Sequence, residues 1–451
     1  MAVMRAKVSV IMPSLNVAAY IRQCLDSVTG QSLEELEIIC IDADSTDGTK
    51  EILADYAKKD SRIVLLHSDR KSYGRQVNIG LDYASGEYVA ILETDDWIEP
   101  DMYRCLYECA SLERLDFAAA DFDMFWRLQS GDDYFVRQRL FSPEKKDWYG
   151  RCLSSDQLAT LRASDYVLWK GIYKRKFLND HYIRLHESFG AAFQDMGFLQ
   201  QVKTYAEKAV YLDKSFYRYR QDRKAASSRG LEGLEYYERE FRWINEELRL
   251  IDILRDIHRK YYYFTMSISF ITKYEQILER LSGDWQDKRL GGPYLWFREQ
   301  ITSAMAKGIL EETMYGKAWW ERLNLLLDSQ EKHSQLFIDE IRIKKQGEQL
   351  LLEKVGNRSI VIFGCGIRGE RMMLLCDNNR MDIRGFCDNN PGLQGRRKFG
   401  FPVISPKDLE KEMKDKNRVI LLSMKNGQEQ VCEQLKEMGI ETDRIISNIP
   451  V

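Results

Sequence analysis

Asn78–Trp97 reads NIGLDYASGEYVAILETDDW, and its character changes twice along the way. The opening belongs to an amphipathic run, Gly74–Ala84. Tyr88–Leu92 then reads as a buried strand, and it runs directly into Glu93, Thr94, Asp95 and Asp96. Carboxylates this close repel one another. At the end of an apolar strand one or more is pushed toward the neutral form unless a cation sits among them.

Amphipathic run, turn, buried strand and polar strand end make one beat of a rhythm that also precedes this stretch. Lys7–Pro13, Leu36–Asp42 and Arg62–Ser68 are short apolar runs, and the amphipathic Ala18–Val28 and Gly48–Lys59 lie between them. A βαβ alternation of this kind predicts a mostly parallel sheet covered by helices. Ligands of such sheets bind at the carboxyl ends of the strands. Pro13–Asn16, Asp42–Asp47 and Glu93–Asp96 all fall at such ends, so these three loops are expected to converge on one crevice.

Composition sets bounds on the rest. A chain of 451 residues, 44% hydrophobic and 30% charged, has room for two or three domains with a real core. Its 67 basic and 70 acidic residues nearly cancel, so no overall field points to nucleic acid. The cysteines form no CxxC pair, and Cys105 and Cys109 are spaced to share a helix face as free thiols, which fits a reducing cytoplasm. With no long apolar stretch at the start or elsewhere, neither a signal peptide nor a membrane span is expected.

Three motifs in register, VSVIMPSLN (Val8–Asn16), IICIDADSTDGT (Ile38–Thr49) and the stretch Asn78–Trp97, resemble the nucleotide-binding half of family 2 glycosyltransferases, which have the GT-A fold. The resemblance implies nucleotide-sugar contacts from Pro13, Ser14, Asn16, Asp42, Asp44, Arg75, Asn78, Thr94 and Asp95, with Asp42 on uracil or its equivalent. It also implies that Asp95 and Asp96 divide ribose and metal contacts, with Glu93 in place of the first Asp of a DxD element. The chain departs from the pattern at Leu15, where an aromatic is usual, and at Ala43, Asp44 and Val77, the last replacing an arginine that Arg75 stands two residues from. Glu93 still offers oxygen ligands, but Mg²⁺ is geometrically strict, so Mn²⁺ or a contact through water is the better match.

The chemistry of the residues agrees with this. Breaking a sugar–diphosphate bond builds negative charge on phosphate, and a divalent ion held by carboxylates stabilises that charge. The competing reading of the acidic strand end is a solvated turn with Asp95 or Asp96 as N-cap of the next helix.

Ser164–Leu178 and the run from Glu187 resemble the acceptor half of capsular and cell-surface polysaccharide members of that family, where an ED pair begins a helix under the acceptor. Here the pair is Gln194 and Asp195. The resemblance implies that Asp195 is a general base for an acceptor hydroxyl. An ordinary first-turn acid, stabilised by exposed amides, fits the same residues. Arg218, Arg220 and Arg223, with Tyr217 and Tyr219 among them, are either a flap over a diphosphate or a solvated basic stretch.

Residues 231–350 read as aromatic-rich helices, a bundle with the aromatics as core. A homo-oligomer interface or lipid-touching surface is the second reading. Gly291, Gly292 and Pro293 read as a break between two helices. The chain then restarts βαβ. Gly364, Gly366 and Gly369 form GxGxxG between strand and helix, and Asp388 ends the next strand where an acid meets a ribose. This part resembles Rossmann-type domains attached to sugar-modifying enzymes, and its expected ligand is a dinucleotide, a nucleotide sugar or none.

The expected fold class is thus α/β: a GT-A type nucleotide-binding sheet with helices, a helical region, and a smaller Rossmann-like domain, with segments 1–125, 126–230, 231–350 and 351–451. The expected function is that of a hexosyltransferase: metal-dependent, inverting transfer of a sugar from a UDP-linked donor to a saccharide or lipid-linked saccharide in cell-surface polysaccharide synthesis. It would act in the cytoplasm or at the inner membrane face. An NAD(P)-dependent sugar oxidoreductase and a non-catalytic nucleotide-sugar binding protein are the alternatives.

Overall fold

The structure is a computed structural model and describes residues 6–128, 131–161, 165, 167–222 and 230–449. It divides into two units, Met1–Phe125 with Phe135–Ser334, and Trp126–Tyr134 with Gln335–Val451.

The first unit begins with the alternation read from the sequence: β1 (Val8–Ser14), α1 (Ile21–Thr29), β2 (Leu36–Asp42), α2 (Thr49–Ala57), β3 (Ile63–His67), α3 (Tyr73–Tyr83) and β4 (Tyr88–Ile91). Every residue of β1 and β4 is buried, as expected for parallel strands covered on both faces. α1 buries Ile21, Cys24, Leu25 and Val28, an i, i+3, i+4, i+7 stripe that seals one side. After β4 come β5 (Trp97–Ile98), α4 (Met102–Glu113), β6 (Phe117–Arg127), β7 (Asp133–Gln138), α5 (Ser155–Ala159), β8 (Gly171–Lys174), α6 (Arg175–Asp180), α7 (Gln194–Tyr205) and β9 (Ala209–Arg220).

These strands form one sheet in the order β3-β2-β1-β4-β8-β6-β9-β5, with β7 beside β6. β3, β2, β1 and β4 run parallel, and β8 joins β4 antiparallel. Ser14 pairs with Asp42 across β1 and β2, and Ile11 pairs with Ile91 across β1 and β4. The three strand ends therefore open at the same edge.

The helical part comprises α8 (Gly233–Arg242), α9 (Leu250–Ile253), α10 (Asp256–Arg280), α11 (Lys288–Ala306), α12 (Lys317–Asp328) and α13 (Gln330–Val355). Its aromatics are core: Phe270 stacks on Phe297 with centroids 3.9 Å apart, and Tyr237 and Phe241 are buried. The break expected at Gly291, Gly292 and Pro293 does not occur. All three lie inside α11. Pro293 sits in the second turn, where it withholds a partner from the Arg289 carbonyl alone, and its neighbours Tyr294, Trp296 and Phe297 are buried. Packing outweighs the local propensity here.

In the second unit, β10 (Ser359–Phe363), α14 (Ile367–Asn378), β11 (Ile383–Cys387), β12 (Arg397–Lys398), β13 (Phe401–Ile404), α15 (Pro406–Glu412), β14 (Arg418–Leu422), α16 (Gln428–Glu437) and β15 (Ile445–Ile446) build a sheet in the order β12-β13-β11-β10-β14-β15. All its pairings are parallel except β12 with β13.

Candidate active site

A cavity of about 400 Å³ opens at the strand ends of the first unit. Pro13 near the end of β1, Leu15 and Val17 after it, Glu93, Thr94 and Asp95 after β4, Asp195 at the start of α7 and Arg220 at the end of β9 line it.

The loops around it are cross-linked. Thr94 Oγ1 donates to the Pro13 carbonyl at 2.9 Å. Gln76 Nε2, from α3, donates to the Ser14 carbonyl at 2.9 Å and the Ile41 carbonyl at 2.7 Å, joining β1 to β2. Asn16 accepts the Thr46 N–H through Oδ1, and its own N–H donates to Ser45 Oγ, both at 2.9 Å. Asp42, 7% exposed, accepts the Ser45 N–H through Oδ1 at 3.0 Å. Its Oδ2 is buried with no hydrogen-bond donor among the described residues. A buried carboxylate oxygen left this way is costly unless a ligand supplies the proton donor. Asp44, at φ 63°, is bonded instead to Lys50 at the surface.

The three strand-end acids separate. Asp96 is buried, and both oxygens are taken: Oδ2 accepts from the Tyr217 hydroxyl and Oδ1 from the Arg220 N–H, each at 2.8 Å. Burial, with Asp95 nearby, still pushes its carboxyl well above the usual range. Glu93 Oε1 accepts from the Tyr73 hydroxyl at 2.5 Å. Asp95 and Glu93 face the cavity, whereas Asp96 does not line it. No helix begins at Asp95 or Asp96: β5 follows, and α4 starts only after Asp101.

Among the described residues no cluster of three or more His, Cys, Asp or Glu could hold a metal by itself. The donor set at the strand end is two carboxylates. Mg²⁺ and similar hard ions are commonly held by one or two carboxylates plus phosphate oxygens and water, so this set fits an ion carried on a diphosphate rather than a protein-only cage.

Asp195, which also lines the cavity, lies in the first turn of α7 and accepts the Met196 N–H through Oδ1 at 2.9 Å. Desolvation first, and the charge of Glu240 second, push its carboxyl up to about 7. Glu240, on α8, is buried and bonded through Oε2 to His186 Nδ1 at 3.0 Å, with the imidazole stacked on Trp243. Gly197 follows Asp195 by two residues, and a Cβ there would stand 2.2 Å from Glu240 Oε1. The glycine is what lets α7 lie against this acid.

Apart from Arg220, the other expected contacts lie off the cavity wall. Asn78 clasps the segment leading to α7: Nδ2 donates to the Leu185 carbonyl, and Oδ1 accepts the Leu185 N–H, both at 2.9 Å. Arg75 is bonded to Asp69 and Glu187. Arg218 lies within β9 with its guanidinium on Glu99 and Asp123, in a strand rather than a flap. Arg220 is at the strand end, where it donates to the Asp95 carbonyl and Gln23. Arg223 lies outside the described residues. In the second unit, Gly364 takes φ 107° and Gly369 packs so tightly on the Gly364 carbonyl that a Cβ would stand 2.0 Å away. Asp388 is occupied there, accepting the Cys365 N–H at 2.8 Å and the Asn390 N–H at 2.9 Å.

The cavity also holds residues that the motifs did not point to: Lys71, Tyr73, Gln76, Trp169, Phe193 and Lys273. Trp169 stacks on Tyr217 at 4.0 Å, so the indole is fixed by the same tyrosine that holds Asp96.

Residues 9–180 match the family model described as Glycosyl transferase family 2, and residues 356–446 match one described as C2185-like, N-terminal. The chain is 30% identical over 233 residues to the glycosyltransferase GlyA of Streptococcus pneumoniae, a match over 49% of this chain and 32% of that protein. It is 32% identical over 218 residues to the uncharacterized glycosyltransferase YibD of Escherichia coli, over 47% of this chain and 61% of that protein. The chain thus spans one third to three fifths of these relatives. In structure, it aligns with S. aureus TarS 1-349 at a TM-score of 0.50 and 18% identity, over 74% of this chain and 91% of that one. The fold class is the expected one, an α/β GT-A-type sheet with helices, a helical region and a further small sheet. Among the described residues no helix is long and apolar enough to cross a membrane.

Proposed function

We propose that the first unit is an inverting glycosyltransferase that moves a sugar from a nucleoside diphosphate, UDP by preference, to the hydroxyl of a saccharide acceptor in cell-surface polysaccharide synthesis. The observation that carries this reading is that Asp95 and Asp195, a hundred positions apart, line one cavity whose mouth lies at the strand ends. The family 2 match over residues 9–180 supports it. Asp42 Oδ2, buried and without a hydrogen-bond donor among the described residues, supplies an acceptor for a base N–H.

In this reading the acceptor oxygen attacks the anomeric carbon as the bond to the diphosphate oxygen breaks, and the leaving diphosphate keeps the electron pair. Asp195 takes the hydroxyl proton. Attack opposite the leaving group inverts the anomeric centre, by analogy with glycosidase chemistry. Asp95, with Glu93 beside it, would hold a divalent ion, Mn²⁺ or Mg²⁺, which when bound neutralises charge developing on the diphosphate. The ring of fixed loops orients the donor before reaction.

The C-terminal sheet, read as Rossmann-like from its glycine loop and parallel order, is assigned a binding or assembly role. Asp388 is already engaged by the Cys365 and Asn390 N–H groups, which disfavours the oxidoreductase alternative. A thermal-shift screen of nucleotide sugars with and without Mn²⁺, followed by donor hydrolysis on the hits, tests the proposal. Stabilisation by a UDP-sugar with slow UDP release is expected. Stabilisation by NADH alone would overturn it.

A further inference from the structure

The second unit contains a segment drawn from far earlier in the chain: Trp126–Tyr134, where β6 passes into β7, groups with Gln335–Val451. A two-stranded ribbon is marginal by itself, and this one is held by burial. Tyr134 is only 2% exposed, with its ring edge-on to Phe399 at 4.3 Å and 5.3 Å from Trp126. Its hydroxyl donates to Glu370, the residue that follows Gly369 of the glycine loop.

The residues that receive Tyr134 hold a costly backbone conformation. Lys398 pairs with Phe401 across β12 and β13, so Phe399 and Gly400 form a two-residue turn, at φ 53° and 77°. Asn, Asp or Gly is usual at the first position of such a turn, because a bulky side chain is strained at positive φ. A phenylalanine persists there where its surroundings impose it, and here its ring is packed by Tyr134 and, at 6.3 Å, by Phe386. Gly400 is constrained as well, since a Cβ at that position would stand 2.2 Å from Asp132 Oδ2.

The same residues engage the glycine loop. Lys398 Nζ donates to the Cys365 carbonyl and pairs with Glu370 at 2.8 Å, while the Cys365 N–H is taken by Asp388. A phosphate approaching that N–H would meet a carboxylate already in place, and like charges repel. What the loop and its neighbours do hold is the ribbon.

β6 carries this contact toward the cavity. Phe125, the residue before Trp126, pairs in register with Arg220 of β9, and its ring centre lies 4.6 Å from the Arg220 guanidinium. Arg220 lines the cavity, donates to the Asp95 carbonyl and gives its N–H to Asp96. The strand that supports both acids is thus one residue from the ribbon.

We propose that the glycine-loop face of the second unit is a receptor for the Trp126–Tyr134 ribbon rather than for a dinucleotide, and that through β6 it positions Arg220 and Asp95 for the donor. The catalytic consequence rests on reading the cavity as a glycosyl-transfer site, whereas the receptor does not.

The test uses the full chain. A Cβ built at 400 stands 3.4 Å from the Asp132 Cβ, close to disulfide geometry, so Asp132→Cys with Gly400→Cys should cross-link under mild oxidation, identified by peptide mapping. Tyr134→Ala should weaken Mn²⁺-dependent UDP binding at least about tenfold, and Tyr134→Phe, which keeps the ring, should lose less. The Tyr134→Ala change placed in the double-cysteine background should recover UDP affinity on oxidation and lose it again on reduction, a reversal that a folding defect would not show. Failure of the cysteines to cross-link would overturn the receptor. UDP affinity unchanged in Tyr134→Ala, or equal in the oxidised and reduced forms, would overturn the positioning role. Absence of UDP binding by the wild-type protein would overturn that role together with the reading of the cavity, and the cross-link would still decide the receptor.

Discussion

The Tyr217 hydroxyl stands between two of the three strand-end acids, accepting the Glu93 N–H at 3.2 Å and donating to Asp96 Oδ2 at 2.8 Å. With the Arg220 N–H on Oδ1, Asp96 is spent on holding β9 against the end of β4. Asp95, its neighbour in sequence, faces the cavity. Two adjacent carboxylates thus have separable duties.

Substitution should separate them in measurement. Asp96→Asn faces two donors with a single acceptor oxygen, so it should lower unfolding free energy by about 1–3 kcal/mol in chemical denaturation. Asp95→Asn should leave stability nearly unchanged and weaken Mn²⁺-dependent UDP binding at least tenfold, about 1.4 kcal/mol. The reverse pattern, or UDP binding that is indifferent to EDTA, would remove the assignment of Asp95 to an ion.

Asn78 offers a second contrast. The resemblance implies a nucleotide contact, whereas its amide makes a two-way clasp with Leu185 and also donates to Glu187 at 3.1 Å. If the clasp is its work, Asn78→Ala should cost about 1–3 kcal/mol of stability and slow turnover by loosening the approach to α7, with UDP affinity little changed. A selective loss of UDP affinity at full stability would restore the nucleotide role.

Asp42 bears on the base. Its Oδ2 lacks a donor among the described residues, so a base N–H would satisfy it. Asp42→Ala should reduce UDP affinity at least tenfold, on the order of 1.4 kcal/mol, while affinity for inorganic pyrophosphate is unchanged. Equal loss of both ligands would place the effect in loop structure, since the same side chain holds the Ser45 N–H.

Much of this arrangement was legible in the residues. Period and strand-end polarity located the crevice, because a parallel sheet leaves its ligands little other place to go. Which carboxylate points inward was not legible, since that depends on Tyr217 arriving from a strand more than a hundred residues later. The same limit hid Lys273 and Glu240: both come from helices whose local pattern says only that one face is buried. Pro293 misled for the opposite reason. A local rule was overridden by the burial of Tyr294, Trp296 and Phe297 around it. The basic run at Arg218 and Arg220 carried two meanings in sequence, and only its place in β9 ties Arg218 to Glu99 and Asp123.

The sharpest prediction concerns Asp195, whose carboxyl is pushed up to about 7 by desolvation and by Glu240. A base works when deprotonated, so turnover should rise with pH, reach half its maximum near that value, and be lost as pH falls through it. Tyr73, Tyr173 and Tyr219 also face this carboxylate, but burial holds each phenol above its ordinary range, so none should titrate across the limb. Glu240→Gln removes the neighbouring charge and should shift the acidic limb to lower pH, leaving the plateau near wild type. Asp195→Asn should bind UDP and Mn²⁺ normally yet lose at least about 10²-fold in transfer. The sign for stability follows from the same shift. A carboxyl raised above its unfolded value of about 3.9 binds its proton more tightly in the folded state, so its contribution is fully present below that value and is lost as pH rises through the folded value near 7. Asp195→Asn should therefore flatten that slope. A variant that keeps most of its turnover, or a wild-type profile flat from pH 5 to 8, would leave Asp195 an ordinary first-turn acid of α7 and return the search for the base to Glu187.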